Sequence, residues 1–171
     1  MHSAPWSKRG WGIALVLVWG WLVLVVSPPF LGDAGAWLVR HALSLFCHQL
    51  PDRTLFIDGT QLGVCHRCLG IYAALALATL GYVGLRRYDR FLGPHAGWVL
   101  SASVVPPGVD WLGGLMNLWV NTPTSRIATG AVFGVAAGYY LARAFADALA
   151  RPPAQGTGRD VPPVAGENGP A

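Results

Sequence analysis

Charge is what this sequence lacks. Only 12% of its 171 residues are Asp, Glu, Lys or Arg, about half the share a soluble domain carries. Hydrophobic residues reach 53% and come in blocks, not at amphipathic spacing, which excludes a large soluble core and points to membrane-spanning helices. A chain this short is also not a multidomain enzyme. The net charge of +4 reflects the cytoplasmic loops of a membrane protein, where Lys and Arg accumulate. It makes no case for nucleic acid as a partner; the partner named by composition is the lipid bilayer. Cysteine is scarce too. There are three, an odd number that excludes complete disulfide pairing, and the lone C-x-x-C lacks the second pair that would make a strong zinc signature.

What is there begins with an apolar run from Trp11 to Val26. It follows Lys8 and Arg9 and stops at Ser27-Pro28-Pro29, where two prolines end a helix. A cleaved signal peptide is the competing reading, with Ala34, Gly35 and Ala36 resembling a cleavage site, but the run is long and tryptophan-rich for a signal. Next, Gly35 to Leu50 carries Trp37, Leu38, His41, Ala42, Leu45 and Phe46 near helical spacing. This predicts a short helix at the membrane surface, with Arg40 on its wetter side. Pro51-Asp52 ends it, and Asp58-Gly59 supplies a turn before Cys65.

The second span runs from about Leu69 to Leu85. Its Gly70, Ala73, Ala74, Ala76, Ala78 and Gly81 let neighbouring backbones approach closely, so it should be central. It ends at Arg86, Arg87 and Arg90, the densest basic cluster. The third, Gly97 to about Trp119, holds Pro106-Pro107, which predicts a kink or break, and then Asp110. The fourth, Ile127 to about Leu149, carries Gly130, Gly134 and Gly138 on one face, as a close helix contact requires. The Pro-, Gly- and Ala-rich tail from Arg151 reads as disordered.

The expected fold class is therefore an all-α membrane protein. It is a single domain of about four transmembrane helices, with spans about 11–27, 69–85, 97–119 and 127–149. An interfacial helix and a Cys/His-containing loop lie between the first and second. With both termini cytoplasmic, eight basic residues fall inside (Lys8, Arg9, Arg86, Arg87, Arg90, Arg143, Arg151, Arg159) and four outside (Arg40, Arg53, Arg67, Arg126). The positive-inside rule then places the cysteine cluster outside the cytoplasm.

Chemistry concentrates between Cys47 and Tyr72, which holds all three cysteines. Cys65 and Cys68 form a C-x-x-C pair able to converge on a metal ion or on each other. Three thiolates from Cys47, Cys65 and Cys68 and one imidazole, from His48, His66 or His41, would complete a tetrahedral zinc shell. The same pair could be a redox couple passing electrons from substrate thiols to a quinone in the bilayer, with Cys47 as shuttle. A structural disulfide with one spare thiol is the plainest alternative. Arg67 and His66 favour thiolate in either of the first two schemes.

Asp110 is costly within a span and so is paired or functional. It shares a leaflet with the cysteines and, with Asn117, Asn121 and Arg126, can face them across one polar pocket. A structural Asp110–Arg126 pair is the alternative. Arg53, Arg67 and Arg126 could bind an anionic head group or carboxylate, or be locally paired or solvated. The tryptophans read as interfacial anchors. If the metal site is catalytic, one ligand must exchange for water and Asp110 is the candidate general base. A small transporter or lipid-binding protein, using the broken third helix and a homo-oligomer, is a third reading.

Cys47-His48-Gln49, Pro51, Arg53, Gly59, and Cys65-x-Arg67-Cys68-x-Gly70-Ile71-Tyr72 together resemble the signature of the prokaryotic membrane proteins catalogued as domain of unknown function 2085. Asp110 and Arg126-x-x-Thr129-Gly130 resemble that family's second motif, with a looser match at Asn121 and Thr122. The resemblance covers roughly Leu38 to Gly138. It implies a multi-spanning protein with a Cys/His/Arg site and supplies no activity. It makes His48 the first choice for the fourth ligand, because His66 falls on an unspecified position.

Overall fold

The computed structural model describes residues 6–150; residues 1–5 and the tail from Arg151, Arg159 included, lie outside the described part. Helix α1 spans Lys8–Val26. Its N-cap Ser7 accepts a hydrogen bond from the Gly10 amide at 3.1 Å, satisfying one of the free donors of the first turn. After a 3-10 turn at Pro28–Phe30 comes α2, Asp33–Leu43, shorter than the surface helix expected over 35–50.

The loop expected before Cys65 is instead a β-hairpin, so the chain is mostly helical but not all-α. Strands β1, Thr54–Ile57, and β2, Thr60–Cys65, pair antiparallel, with Ile57 opposite Thr60 and Phe56 opposite Gln61. Asp58 and Gly59 both have positive φ, 49° and 77°, as a two-residue hairpin turn matching strand twist requires. The short Thr-Leu-Phe-Ile and Thr-Gln-Leu-Gly-Val runs on either side of an Asp-Gly turn carry this signal.

Helix α3, His66–Leu85, starts directly at the hairpin's end, three residues before the expected start of the span. The short α4, Asp89–Leu92, and 3-10 turns on either side of it lead into α5, Ala96–Leu115. Pro106 and Pro107 lie inside α5 and do not break it. Their missing donors fall on two consecutive carbonyls, one local defect that the turns on either side span. Helix α5 ends four residues short of Trp119 because Asn117 turns left-handed, at φ 55°. The Leu118 amide donates to Gly113 O at 2.9 Å, and the Asn117 amide to Gly114 O at 3.4 Å, which closes the end as a Schellman motif. Helix α6, Pro123–Ala148, begins on Thr122, whose hydroxyl accepts from the Ser125 amide at 3.1 Å.

Helices α3 and α6 run parallel and nearly touch. A Cβ on Gly130, Gly134 or Gly138 would lie 2.3, 2.3 and 2.4 Å from the carbonyl oxygens of Arg67, Ile71 and Leu75, and one on Gly70 would lie 2.2 Å from Ile127 O. The register advances four residues on each helix at every contact. Thus the glycine stripe is a backbone-to-backbone seam.

Packing is inside-out relative to a soluble bundle. The buried side chains are mostly small, including Ala14, Ala76, Ala78, Ala136, Ala142 and Ala146, whereas Val16, Leu77 and Trp98 are 74%, 62% and 80% exposed. Among the described residues two stretches are long and apolar enough to cross a membrane: Lys8–Val26 and the helical run His66–Leu115. Helix α6, expected as the fourth span, falls short of that measure, diluted by its glycines and tyrosines.

Candidate functional site

The site assembles where α2, the hairpin and α3 meet. Past α2 the chain makes a turn in which the Cys47 amide donates to Leu43 O at 3.0 Å, tucking the Cys47 side chain inward to 5% exposure. Gln49, at φ 50°, then reverses the chain. Its amide donates to Arg40 O at 2.7 Å, and the Gln61 amide on β2 donates to Gln49 O at 2.5 Å, fastening this loop to the hairpin. Val25, Leu43 and Val64 pack with Cys47 beneath it. Gly63 makes this possible, because a Cβ there would lie 2.9 Å from Val25 O.

Cys65 closes β2 and caps α3, and Cys68 stands one turn further along. The Cys65 amide donates to Cys47 Sγ at 3.3 Å, and the Cys65 and Cys68 sulfurs are 3.5 Å apart. All three sulfurs lie within 4.8 Å of one another, and all three thiols are free. A disulfide needs about 2.05 Å between sulfurs. Thiolates on a tetrahedral zinc at about 2.3 Å stand near 3.8 Å apart, a separation that falls between the 3.5 Å of the Cys65–Cys68 pair and the 4.8 Å limit of the cluster. Hydrogen bonds from Cys47, and next from Cys68, hold the Cys65 thiol well below the ordinary thiol range. One sulfur is thereby a ready thiolate.

The histidines sit differently. His48 is exposed on the rim of a cavity of about 180 Å³ that the three cysteines and Arg53 also line. It is beside the sulfur cluster, not within it. His66 is buried, with Nδ1 unpartnered, and His41 stacks on Trp37 with ring centroids 5.1 Å apart.

Asp110 is buried in α5 and pairs with Arg67, not with Arg126. The reason is placement: Arg67 stands in the first turn of α3 with 22% of its side chain exposed, directed at Asp110. Asn121 donates to Asp110 O at 2.8 Å and to its carboxylate at 3.4 Å. This loop folds back on α5 because α5 ends in glycines. A Cβ on Gly113 would collide with the Trp119 ring at 2.0 Å, and one on Gly114 with the Asn121 amide at 2.5 Å.

The fold-back encloses a second cavity, of about 430 Å³, lined by Arg53, Arg67, Asn117, Asn121 and Arg126 among others. Cys65 borders it, and so do Trp111 and Trp119, which the sequence offers only as membrane anchors. Asp110 lies behind this lining, bonded to Arg67. No sequence signal marks the two tryptophans as walls. The end of α5 at Asn117 does carry one, since Asn is favoured at a left-handed helix end.

The family model described as a predicted membrane protein, domain of unknown function 2085, matches residues 47–140. An uncharacterised protein of Methanocaldococcus jannaschii is 34% identical over 98 residues, covering 57% of this chain. The chain spans 62% of that relative's length. No solved structure matches it. The matched region contains every cysteine, the Arg67–Asp110 pair and the α3–α6 seam, and the chain belongs to this family of predicted membrane proteins.

Proposed function

We propose that this protein holds a metal ion, zinc by the donor set, through Cys47, Cys65 and Cys68 on the extracytoplasmic face of a multi-pass membrane bundle. The observation that carries the reading is the convergence of three free thiols from three elements at a spacing suited to one ion and too wide for a disulfide. His48, on the rim of the same small cavity, completes the shell by a side-chain rotation, giving a closed Cys3His site. Such a site is structural: it pins the turn after α2 and the hairpin to the start of α3. Asp110 suits no general-base role here, because Arg67 and Asn121 already engage its carboxylate.

The membrane arrangement has α1, α3, α5 and α6 as spans and both termini cytoplasmic. The outward-facing large apolar side chains and the small-residue seam support it. The Arg86, Arg87 and Arg90 cluster at the far end of α3 supports this orientation. A thiol–quinone oxidoreductase would place a quinone-sized, wholly apolar cavity beside Cys65, whereas the cavity the cysteines line is only about 180 Å³ and the larger one that Cys65 borders is walled by three arginines. The largely apolar cavity of about 420 Å³ is lined instead by Leu85, Leu92, Tyr139 and Tyr140, at the other end of an α3 about 30 Å long.

The test is metal content and thiol count on protein purified in mild detergent without chelator or histidine tag. One zinc per chain, with thiols unreactive until the metal is stripped, is expected. No metal, with one disulfide and one free thiol, overturns the reading.

A further inference from the structure

Two helices in this fold present the wrong charge to their own dipoles. Arg67 is the second residue of α3 and Arg126 the fourth of α6, and neither first turn holds an acidic residue. A helix N-terminus carries about half a positive charge, so a cation there is disfavoured. Because α3 and α6 run parallel in register, both positive ends and both arginines face the same way. Arg53, from the 3-10 turn Pro51–Arg53, joins them on the wall of the 430 Å³ cavity.

Cys65 is the one group in the cavity wall able to offset this charge. No carboxylate lines it. Asp110, behind the wall, accepts from one Arg67 nitrogen, while the buried Nε of Arg67 has no partner. Arg126 makes no ion pair among the described residues. Arg53 holds only Asp52, at 3.2 Å, with their side chains 49% and 69% exposed, a pair that solvent weakens. Three guanidiniums and two helix ends of about half a charge each, less the Asp110 carboxylate and the Cys65 thiolate, leave the cavity about +2. A carboxylate ligand would neutralise half of that with one planar face, whereas a phosphate monoester brings about −1.5 to −2 and three acceptor oxygens. The opposite wall is apolar: Trp111 and Trp119 are 54% and 45% exposed.

We propose that this cavity binds a phosphate monoester, its oxygens seated by Arg53, Arg67 and Arg126 and its organic remainder lying against Trp111 and Trp119. The phosphate could belong to a soluble molecule or to a lipid head group such as phosphatidic acid. The arginines, not the thiols, hold it, so loss of either site leaves the other assignable.

The test uses the full chain in nanodiscs of phosphatidylcholine, with and without phosphatidic acid. Phosphorus NMR titration with inorganic phosphate and native mass spectrometry of retained lipid give the two readings. Saturable phosphate binding with no enrichment of phosphatidic acid assigns a soluble ligand. Enrichment of phosphatidic acid over phosphatidylcholine assigns the lipid. Arg126→Gln, which breaks no bond in the fold, should weaken whichever is seen by about 10-fold or more, since hydrogen bonds to charged groups are among the strongest. Arg53→Gln should do the same. Arg87→Gln, at the other end of the chain's helices, should leave binding unchanged. No binding of either probe by the wild type, or equal binding by Arg126→Gln and Arg53→Gln, overturns the proposal.

Discussion

Replacing Arg67 with glutamine should be the most damaging single change at the polar end of the bundle. Asp110 exposes 8% of its side chain and Arg67 exposes 22%. Without the guanidinium, the carboxylate keeps only the Asn121 amide at 3.4 Å. Breaking a buried pair by removing one partner costs about 3–5 kcal/mol, because the other charge is stranded. The reverse change, Asp110→Asn, removes the more buried charge and leaves Arg67 open to cavity water, so the cost falls to about 1–3 kcal/mol. The double variant removes both charges, and its two amides can bond to each other. It should therefore be more stable than Arg67→Gln alone, with a coupling of about 2 kcal/mol. Graded dodecyl sulfate unfolding in micelles, followed by far-ultraviolet circular dichroism, gives all four corners of this cycle. Equal costs for the two single variants, or a double variant costing the sum of both, would refute the reasoning.

Three further outcomes follow from the packing and the thiols. Gly134→Ala places a methyl 2.3 Å from Ile71 O, which is backbone and cannot swing away, so overpacking should cost about 1–3 kcal/mol; Gly81→Ala meets open space and should be neutral or stabilising in the same unfolding assay. Asp89 accepts from Tyr82 at 3.2 Å and from Tyr139, tying α4 to α3 and α6. Asp89→Ala should cost about 1–3 kcal/mol, and adding Tyr82→Phe and Tyr139→Phe should remove most of that penalty. In metal-free protein the depressed Cys65 thiol binds its proton less readily when folded than when unfolded. Stability should then rise as pH climbs from the depressed value toward the ordinary thiol range, and be lost again as pH falls back. Cys65→Ser should flatten that slope.

The seam between α3 and α6 was legible in the sequence, because Gly130, Gly134 and Gly138 share one helical face and Gly70, Ala74 and Ala78 offer a matching small stripe. The hairpin was legible in principle: Asp58-Gly59 between two short runs that include Thr, Phe, Ile and Val is its usual signal. The shortness of the strands, four and six residues, masks it. At the prolines the break, one of the two expected outcomes, does not occur. Pro106 and Pro107 carry a strong local preference against helix, and the turns of α5 around them override it. The partner of Asp110 could not be read at all. Arg67 and Arg126 both begin helices on the same side, and choosing between them depends on the rotation of α5, which no local pattern records.

The parallel run of α3 and α6 connects these features. Close backbone approach needs glycine on one helix and small residues on the other, and α5 returning between them in sequence lets the two run the same way. Both N-termini then emerge on one face, each leaving unbonded amides there. The hairpin delivers Cys65 to the first of these ends, and the fold-back of Trp119 and Asn121 onto Gly113 and Gly114 covers the second. A thiol cluster and an arginine cavity thus share Cys65 as a common wall. Widening the seam should disturb both at once. Gly130→Ala, whose methyl would lie 2.3 Å from Arg67 O, is the sharpest case. It should lower metal retention and phosphate binding together, whereas Gly138→Ala, two turns further from both, should lower stability with less effect on either.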